Sequence, residues 1–321
     1  MIDRPLSRRR AIKSIGAAAL VGVAGCSSDS DQTDTESSTS TETPTATRTE
    51  TATSTQSDSL GLDGPRHGDD LPADPDPTNG YPPEFEVVPE ERSIDTAEFE
   101  TLTRGDFEVK LVPTDVAYYW YARGEARFAD TRSESEFEVS HIFGAVLSPA
   151  GDGIDLPDDP VLEWPTDDRI VTYCDCPHHL SSLRAASLMN RGYERVYALD
   201  EGFGAWREHN FPLAGTDAGR TPPTRTITGT VPTQYEGETA WAFHTESNQR
   251  EATEITSDGS YTLEFRFVDV TAESTIRVET PAYEVTAPLG DLTNGTVTSD
   301  GTVSASGGTT NTTNTANTST R

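Results

Sequence analysis

Tyr173-Cys174-Asp175-Cys176-Pro177-His178-His179-Leu180-Ser181-Ser182 joins a short apolar run, Arg169-Ile170-Val171-Thr172-Tyr173, to a helix-forming run, Ser182-Leu183-Arg184-Ala185-Ala186-Ser187-Leu188-Met189. It holds two of the chain's three cysteines. A strand, a tight loop opening on Cys and a helix bring backbone N–H groups and the positive end of the helix together where a thiolate would sit.

The surrounding residues repeat the alternation of strand and helix. Phe107-Glu108-Val109-Lys110-Leu111-Val112-Pro113 alternates like a strand. Thr114-Asp115 offers an N-cap for a helix through Ala122, closed by Gly124. Residues 126–130 read as a buried strand, Ser133 to Phe137 as the start of a short acidic helix, and His141 to Leu147 as a further strand. After the cysteine loop the helix runs to Asn190 with Gly192 as its cap. Val196 to Leu199 is the last strand, and Glu201 to Arg207 begins a final helix ended by Pro212. This spacing predicts an α/β domain with a mainly parallel sheet.

Composition separates this domain from its flanks. The chain of 321 residues carries 54 acidic against 24 basic residues, a net charge of −30, and only 33% hydrophobic residues. All basic residues except Lys13 and Lys110 are Arg. The acid is spread over the whole chain, which reads as a solvation device rather than a binding surface. The composition resembles that of proteins from extremely halophilic archaea. Such a charge repels phosphates and excludes nucleic acid as a partner.

Ser7-Arg8-Arg9-Arg10-Ala11-Ile12-Lys13 resembles the twin-arginine export motif, and Val23-Ala24-Gly25-Cys26 resembles a lipobox. The apolar segment between them is too short to span a bilayer. The expectation is a signal peptide over 1–25 and an exported protein held on the extracellular face of the cell membrane by lipidated Cys26. Residues 26–84 are Ser/Thr/Asp/Pro-rich and read as a disordered tether. The first domain is placed at 85–217, with its core at 104–217.

Beyond a Gly/Pro/Thr linker, short alternating runs between 224 and 298 predict a small all-β antiparallel sandwich. Its Asp258-Gly259-Ser260-Tyr261-Thr262-Leu263 strand resembles the transthyretin-like, carboxypeptidase-regulatory class, with a spacer or recognition role. Residues 299–321 read as a disordered tail. Asn294, Asn311 and Asn317 lie in glycosylation sequons.

Three blocks of the first domain resemble the rhodanese family. Asp130-Thr131-Arg132-Ser133-Glu134-Ser135-Glu136-Phe137, followed by His141-Ile142-Phe143-Gly144-Ala145, is similar to its Asp-x-Arg…His-Ile-x-Gly-Ala block. Gly202-Phe203-Gly204-Ala205-Trp206 is similar to its Gly-Gly-x-x-x-Trp block, and the cysteine loop lies between the two. The resemblance covers roughly residues 104–217. It implies a rhodanese-like α/β fold and sulfur transfer through a cysteine persulfide, from a small sulfur donor to a thiol acceptor, with no cofactor. Asp130 and Arg132 then support the fold and the rim of the site.

Counting back from Arg184 by the family's spacing assigns the nucleophile to Cys176 and makes Cys174 a resolving or structural partner. Counting from the end of the strand gives Cys174. The substrate loop is then Pro177, His178, His179, Leu180, Ser181 and Ser182. The family's loop commonly reads Cys-Arg-Ser-Gly-x-Arg-Ser; here both cationic positions and the Gly are absent, and two histidines stand as pH-dependent donors. Three other readings attach to the loop. It is a catalytically inactive binding or scaffolding module, a zinc or copper site on Cys174, Cys176, His178 and His179, or a phosphatase loop, which would require a terminal Arg that is missing. Adjacent positions on one tight loop do not easily surround a metal ion, and no metal is assigned.

Overall fold

A computed structural model describes residue 71 and residues 78–151, 158–305, 308–309 and 313–315. Cys26, the twin-arginine segment, most of the tether, Asn311 and Asn317 lie outside the described residues. Among the described residues no helix is long and apolar enough to cross a membrane.

The first domain is built from β1 (Thr101–Arg104), β2 (Phe107–Val112), α1 (Thr114–Ala122), β3 (Arg127–Asp130), α2 (Glu134–Val139), β4 (His141–Ile142), β5 (Val146–Leu147), β6 (Arg169–Tyr173), α3 (His179–Asn190), β7 (Arg195–Leu199), α4 (Gly202–Glu208) and β8 (Leu213–Ala214). Six strands form one sheet in the order β1-β2-β7-β6-β3-β5, parallel except for β1. Its strands bury both faces. Val171, Tyr173, Leu199 and Phe128 enter the core under α1 and α4. Ile170, Val196, Ala198 and Ala129 enter the core under α3. On the α1 side Tyr118 stacks on Phe211 at 3.8 Å and Trp206 meets Tyr121 edge-on.

Several local expectations change. Helix α1 has Pro113 at its N-cap with no side-chain cap, and Thr114 instead donates its N–H and hydroxyl to Glu201 Oε2. The run 141–147 is not one strand. Gly144, at φ +86°, turns it, so β4 pairs with β8 and β5 joins the main sheet. A Cβ at Gly144 would lie 2.6 Å from the Tyr81 carbonyl oxygen, so only Gly permits that approach. Folding also starts ahead of Phe85. The Phe128 N–H donates to Gly80 O at 2.7 Å, and Trp164 Nε1 donates to Thr78 O at 3.1 Å. Residues 78–84 therefore belong to the domain, as packing partners of β3, and not to the tether.

The second domain contains β9 (Arg225–Thr230), β10 (Thr239–His244), β11 (Gln249–Glu254), β12 (Ser260–Phe265), β13 (Thr275–Glu279), β14 (Glu284–Pro288), α5 (Leu289–Asn294), β15 (Gly295–Val297), β16 (Val303–Ala305), β17 (Gly308–Thr309) and β18 (Thr313–Thr315). Two five-stranded sheets, β11-β10-β13-β14-β18 and β12-β9-β15-β16-β17, enclose one apolar core. The sandwich is not purely antiparallel, because β15 runs parallel to β9 and is reached through the short helix α5. Residues expected as a disordered tail instead extend the sheets: β16 and β17 pair beyond β15, and β18 pairs with β14. Main-chain pairing at a sheet edge needs no apolar side chains, and Thr suits it.

Candidate functional site

The loop between β6 and α3 is shorter than the sequence implies. Helix α3 begins at His179 rather than Ser182, leaving residues 174–178 to make the turn. His178 completes it in the left-handed region, at φ 38°, a strained setting for a residue with a Cβ. Helix α4 holds the loop from the other side. The N–H groups of Phe203 and Gly204 donate to the carbonyls of Cys174 and Asp175 at 2.8 and 3.3 Å. Gly202, at φ +73°, lies so close that a Cβ there would be 2.8 Å from Cys176 O.

This geometry puts Cys174, not Cys176, over the start of α3. Cys174 Sγ donates to Cys176 O at 3.1 Å and lies 3.5 Å from Ser181 Oγ. The backbone amides of Ser181 and Leu180 favour its thiolate, but burial and the carboxylate of Glu251 outweigh them and push the thiol up to about 12. Cys176 is turned away from α3 and towards the second domain, where its Sγ donates to Glu264 O at 3.0 Å. Burial, then Glu251 and Asp175, push its thiol up strongly. Both sulfurs are free thiols, and both residues are 1% exposed. Counted from Arg184 the family spacing still falls on Cys176, while the early start of α3 sets Cys174 at the head of the helix. Arg184 itself faces away from the loop, binding Ser148 Oγ at 2.9 Å and Asp159 Oδ2 at 2.5 Å.

The remaining loop residues diverge. Pro177 is exposed at the tip, and Leu180 packs with Cys174 and Ala150. Ser181 O accepts from Thr172, while Ser182 Oγ accepts from Arg104 Nε at 2.9 Å. His178 Nε2 is 3.7 Å from Asp200, and its imidazole is held below its ordinary value by burial and by the neighbouring His179 and Arg104. His179 Nδ1 faces Glu251 Oε1 at 3.5 Å. Thus the four side chains offered for a metal face four different neighbours, and among the described residues no Cys/His/Asp/Glu group converges as a metal site.

Asp130 and Arg132 form a buried two-pronged pair behind the loop, with Arg132 also donating to Ser140 O and its guanidinium 4.5 Å from the Phe203 ring. Nearer the sulfurs stand residues that no sequence motif singles out. Asp175 accepts Arg207 Nη2 at 2.6 Å on one oxygen and Arg266 Nη1 at 3.1 Å on the other. Glu251, Glu264 and Arg266 come from β11, β12 and the segment just after β12. Cys176 and Glu264 are 88 positions apart, and Asp175 and Arg266 are 91 apart, so no local pattern links them.

Residues 115–209 match the family described as Rhodanese-like domain. The thiosulfate sulfurtransferase GlpE of Stutzerimonas stutzeri is 36% identical over 106 residues, covering 33% of this chain and 90% of that protein. GlpE of Vibrio cholerae is 30% identical over 90 residues, covering 28% and 79%. A solved rhodanese-like domain from Anabaena sp is 24% identical, covers 35% of this chain and 84% of that one, and superposes with a TM-score of 0.31. By its sequence relatives, then, the α/β part of this chain belongs to the rhodanese family.

Proposed function

We propose that the protein transfers sulfur through a persulfide on the loop between β6 and α3, with Cys174 as the carrier and Cys176 as its neighbouring thiol. The observation that carries this reading is the position of Cys174 at the start of α3, where the amides of Leu180 and Ser181 favour a negative sulfur. The thiolate would attack the outer sulfur of a donor such as thiosulfate. The new S–S bond makes a cysteine persulfide, the donor's own S–S bond breaks, and sulfite leaves with the electron pair. An acceptor thiol or cyanide then takes the outer sulfur and returns the thiolate. The names of the GlpE relatives support thiosulfate as the first donor to test.

The protein, incubated reduced with thiosulfate in high salt, is expected to yield cyanolysable sulfur. Cys174→Ser should abolish it and Cys176→Ser should retain part of it. Loss only in Cys176→Ser would transfer the carrier role to Cys176. No persulfide in the reduced wild type would favour the second reading, a non-catalytic binding module, which the burial of both thiols supports. The same proposal places the protein outside a halophilic archaeal cell, anchored through Cys26. Cys26→Ala should then appear in the soluble fraction, and a variant that stays with the membrane would overturn the anchor.

A further inference from the structure

Both cysteines of a loop suited to sulfur transfer are sealed, and the second domain does the sealing. Glu264 O accepts the Cys176 thiol, while Ala252 of β11 packs with Cys174, Leu180 and Ala150. Arg266 bonds Asp175, the residue between the two cysteines. Arg104, on β1, ties the edges together: it donates to Ser182 of α3 and to Glu254 of β11. A donor molecule cannot reach either sulfur without displacing these groups, since attack needs the reacting atoms in line at van der Waals contact.

We propose that the β-sandwich is a lid over the cysteine loop, latched by Arg266 on Asp175, and that a sulfur donor reaches the thiols only when this latch opens. The proposal rests on the sulfur-transfer reading for its purpose but not for its test. Three features mark the latch as the place where opening starts. Arg266 is 25% exposed, whereas Asp175 is 6% exposed, so the pair stands at the margin of the interface and water can compete for the guanidinium. Asp175 keeps a second partner, Arg207, so releasing Arg266 does not strand a buried carboxylate. A cleft of about 400 Å³ adjoins the pair and is lined by both Arg207 and Arg266. An anionic donor entering there meets two guanidiniums shared by one carboxylate.

The test is native alkylation of the full chain by iodoacetamide in high salt, with peptide mass mapping to follow Cys174 and Cys176 separately. Local opening limits the reaction, so both cysteines of the wild type should react roughly a hundredfold more slowly than in denaturant. Arg266→Ala should speed alkylation of Cys176 about tenfold, equivalent to roughly 1.4 kcal/mol in the opening equilibrium. Ala252→Trp, a wedge on the covering face, should speed both. Thermal unfolding traces identify any variant that has lost its fold. Arg266→Lys, which keeps the charge without the planar fork, then replaces Arg266→Ala with a smaller acceleration expected. Wild-type cysteines that react as fast as in denaturant, or folded latch and wedge variants with unchanged rates, would overturn the lid. Cysteines that become alkylatable on unlatching yet never form a persulfide would overturn sulfur transfer and leave the lid standing.

Discussion

Gly202→Ala and Gly204→Ala are the same substitution two residues apart, and the structure gives them opposite outcomes. Gly202 has φ +73°, and an added Cβ would lie 2.8 Å from Cys176 O, 2.9 Å from Cys176 C and 3.0 Å from Asp175 O. A left-handed conformation costs a residue with a Cβ about 1–2 kcal/mol. The contacts are backbone atoms of the cysteine loop, pinned by the Phe203 and Gly204 amides, so relief requires moving the loop, at a further ~1–3 kcal/mol typical of overpacking. The expected sum is about 2–5 kcal/mol. For a folded region of this size each kcal/mol corresponds to roughly 2–4 °C, so a fall in Tm of about 10 °C is expected. Gly204, by contrast, has no left-handed φ, and its added Cβ would meet a side-chain end, Arg266 Nη1, at 3.2 Å, so that the guanidinium must give by a few tenths of an ångström at its bond to Asp175 while the loop backbone stays in place. Ala is favoured over Gly within a helix by up to ~1 kcal/mol, so Gly204→Ala should melt with the wild type or slightly above it. Thermal unfolding followed by near-ultraviolet circular dichroism, at one high salt concentration, reads both. If the two variants melt within about 2 °C of each other, a gap worth less than roughly 1 kcal/mol, the close approach of α4 to the cysteine loop is refuted.

Asp130→Ala should cost about 3–5 kcal/mol in denaturant unfolding, because it leaves the buried Arg132 guanidinium with only Ser140 O; removing both charges in Asp130→Leu/Arg132→Met should cost much less than the two single changes together. Stability should fall as pH rises from about 9 towards 12. The unfolded thiols ionise near their ordinary value, while the folded Cys174 thiol is held up to about 12, so the stabilisation is present at neutral pH and is lost through that alkaline window; Cys174→Ala should flatten the slope of a pH series of urea melts, and an unchanged slope would contradict the assignment. Glu251→Gln removes a carboxylate that raises both thiols in the docked protein, so the alkaline loss of stability should become shallower in the same pH series of urea melts; an unchanged slope would show that Glu251 does not act on the loop.

The sheet was legible because its strands announce themselves locally. Residues such as Ile170, Val171 and Tyr173 are apolar on both faces, as a doubly covered parallel strand requires. Helix α2 was legible from Ser133 and Glu136, whose side chains bond reciprocally to each other's backbone N–H groups. Strand β1 and strand β11 were not, since both mix polar and charged residues and exist through their neighbours' pairing. The loop was legible as a location but not as a geometry. Whether Cys174 or Cys176 sits over α3 depends on where that helix begins, and a shift of a few residues at a helix start is within the ordinary error of reading a boundary from sequence. Glu251, Glu264 and Arg266 were out of reach altogether, because they join the site only when a separate β-sandwich docks on it.

The balance of forces on Cys174 explains why that docking matters for the chemistry. Three groups favour its thiolate: the Ser181 hydroxyl and the amides of Ser181 and Leu180, all from the rhodanese-like domain itself. Two effects oppose it, burial and Glu251. Glu251 belongs to β11, and part of the burial comes from Ala252 beside it. A thiol pushed up to about 12 from its ordinary value near 9 disfavours the thiolate by roughly 4 kcal/mol. The second domain therefore supplies Glu251 and a share of the burial, and the favourable groups come from the first. Separating the two would remove the carboxylate and admit water while leaving the amides of α3 in place, which turns the same loop from one that keeps its sulfur protonated into one that stabilises a thiolate.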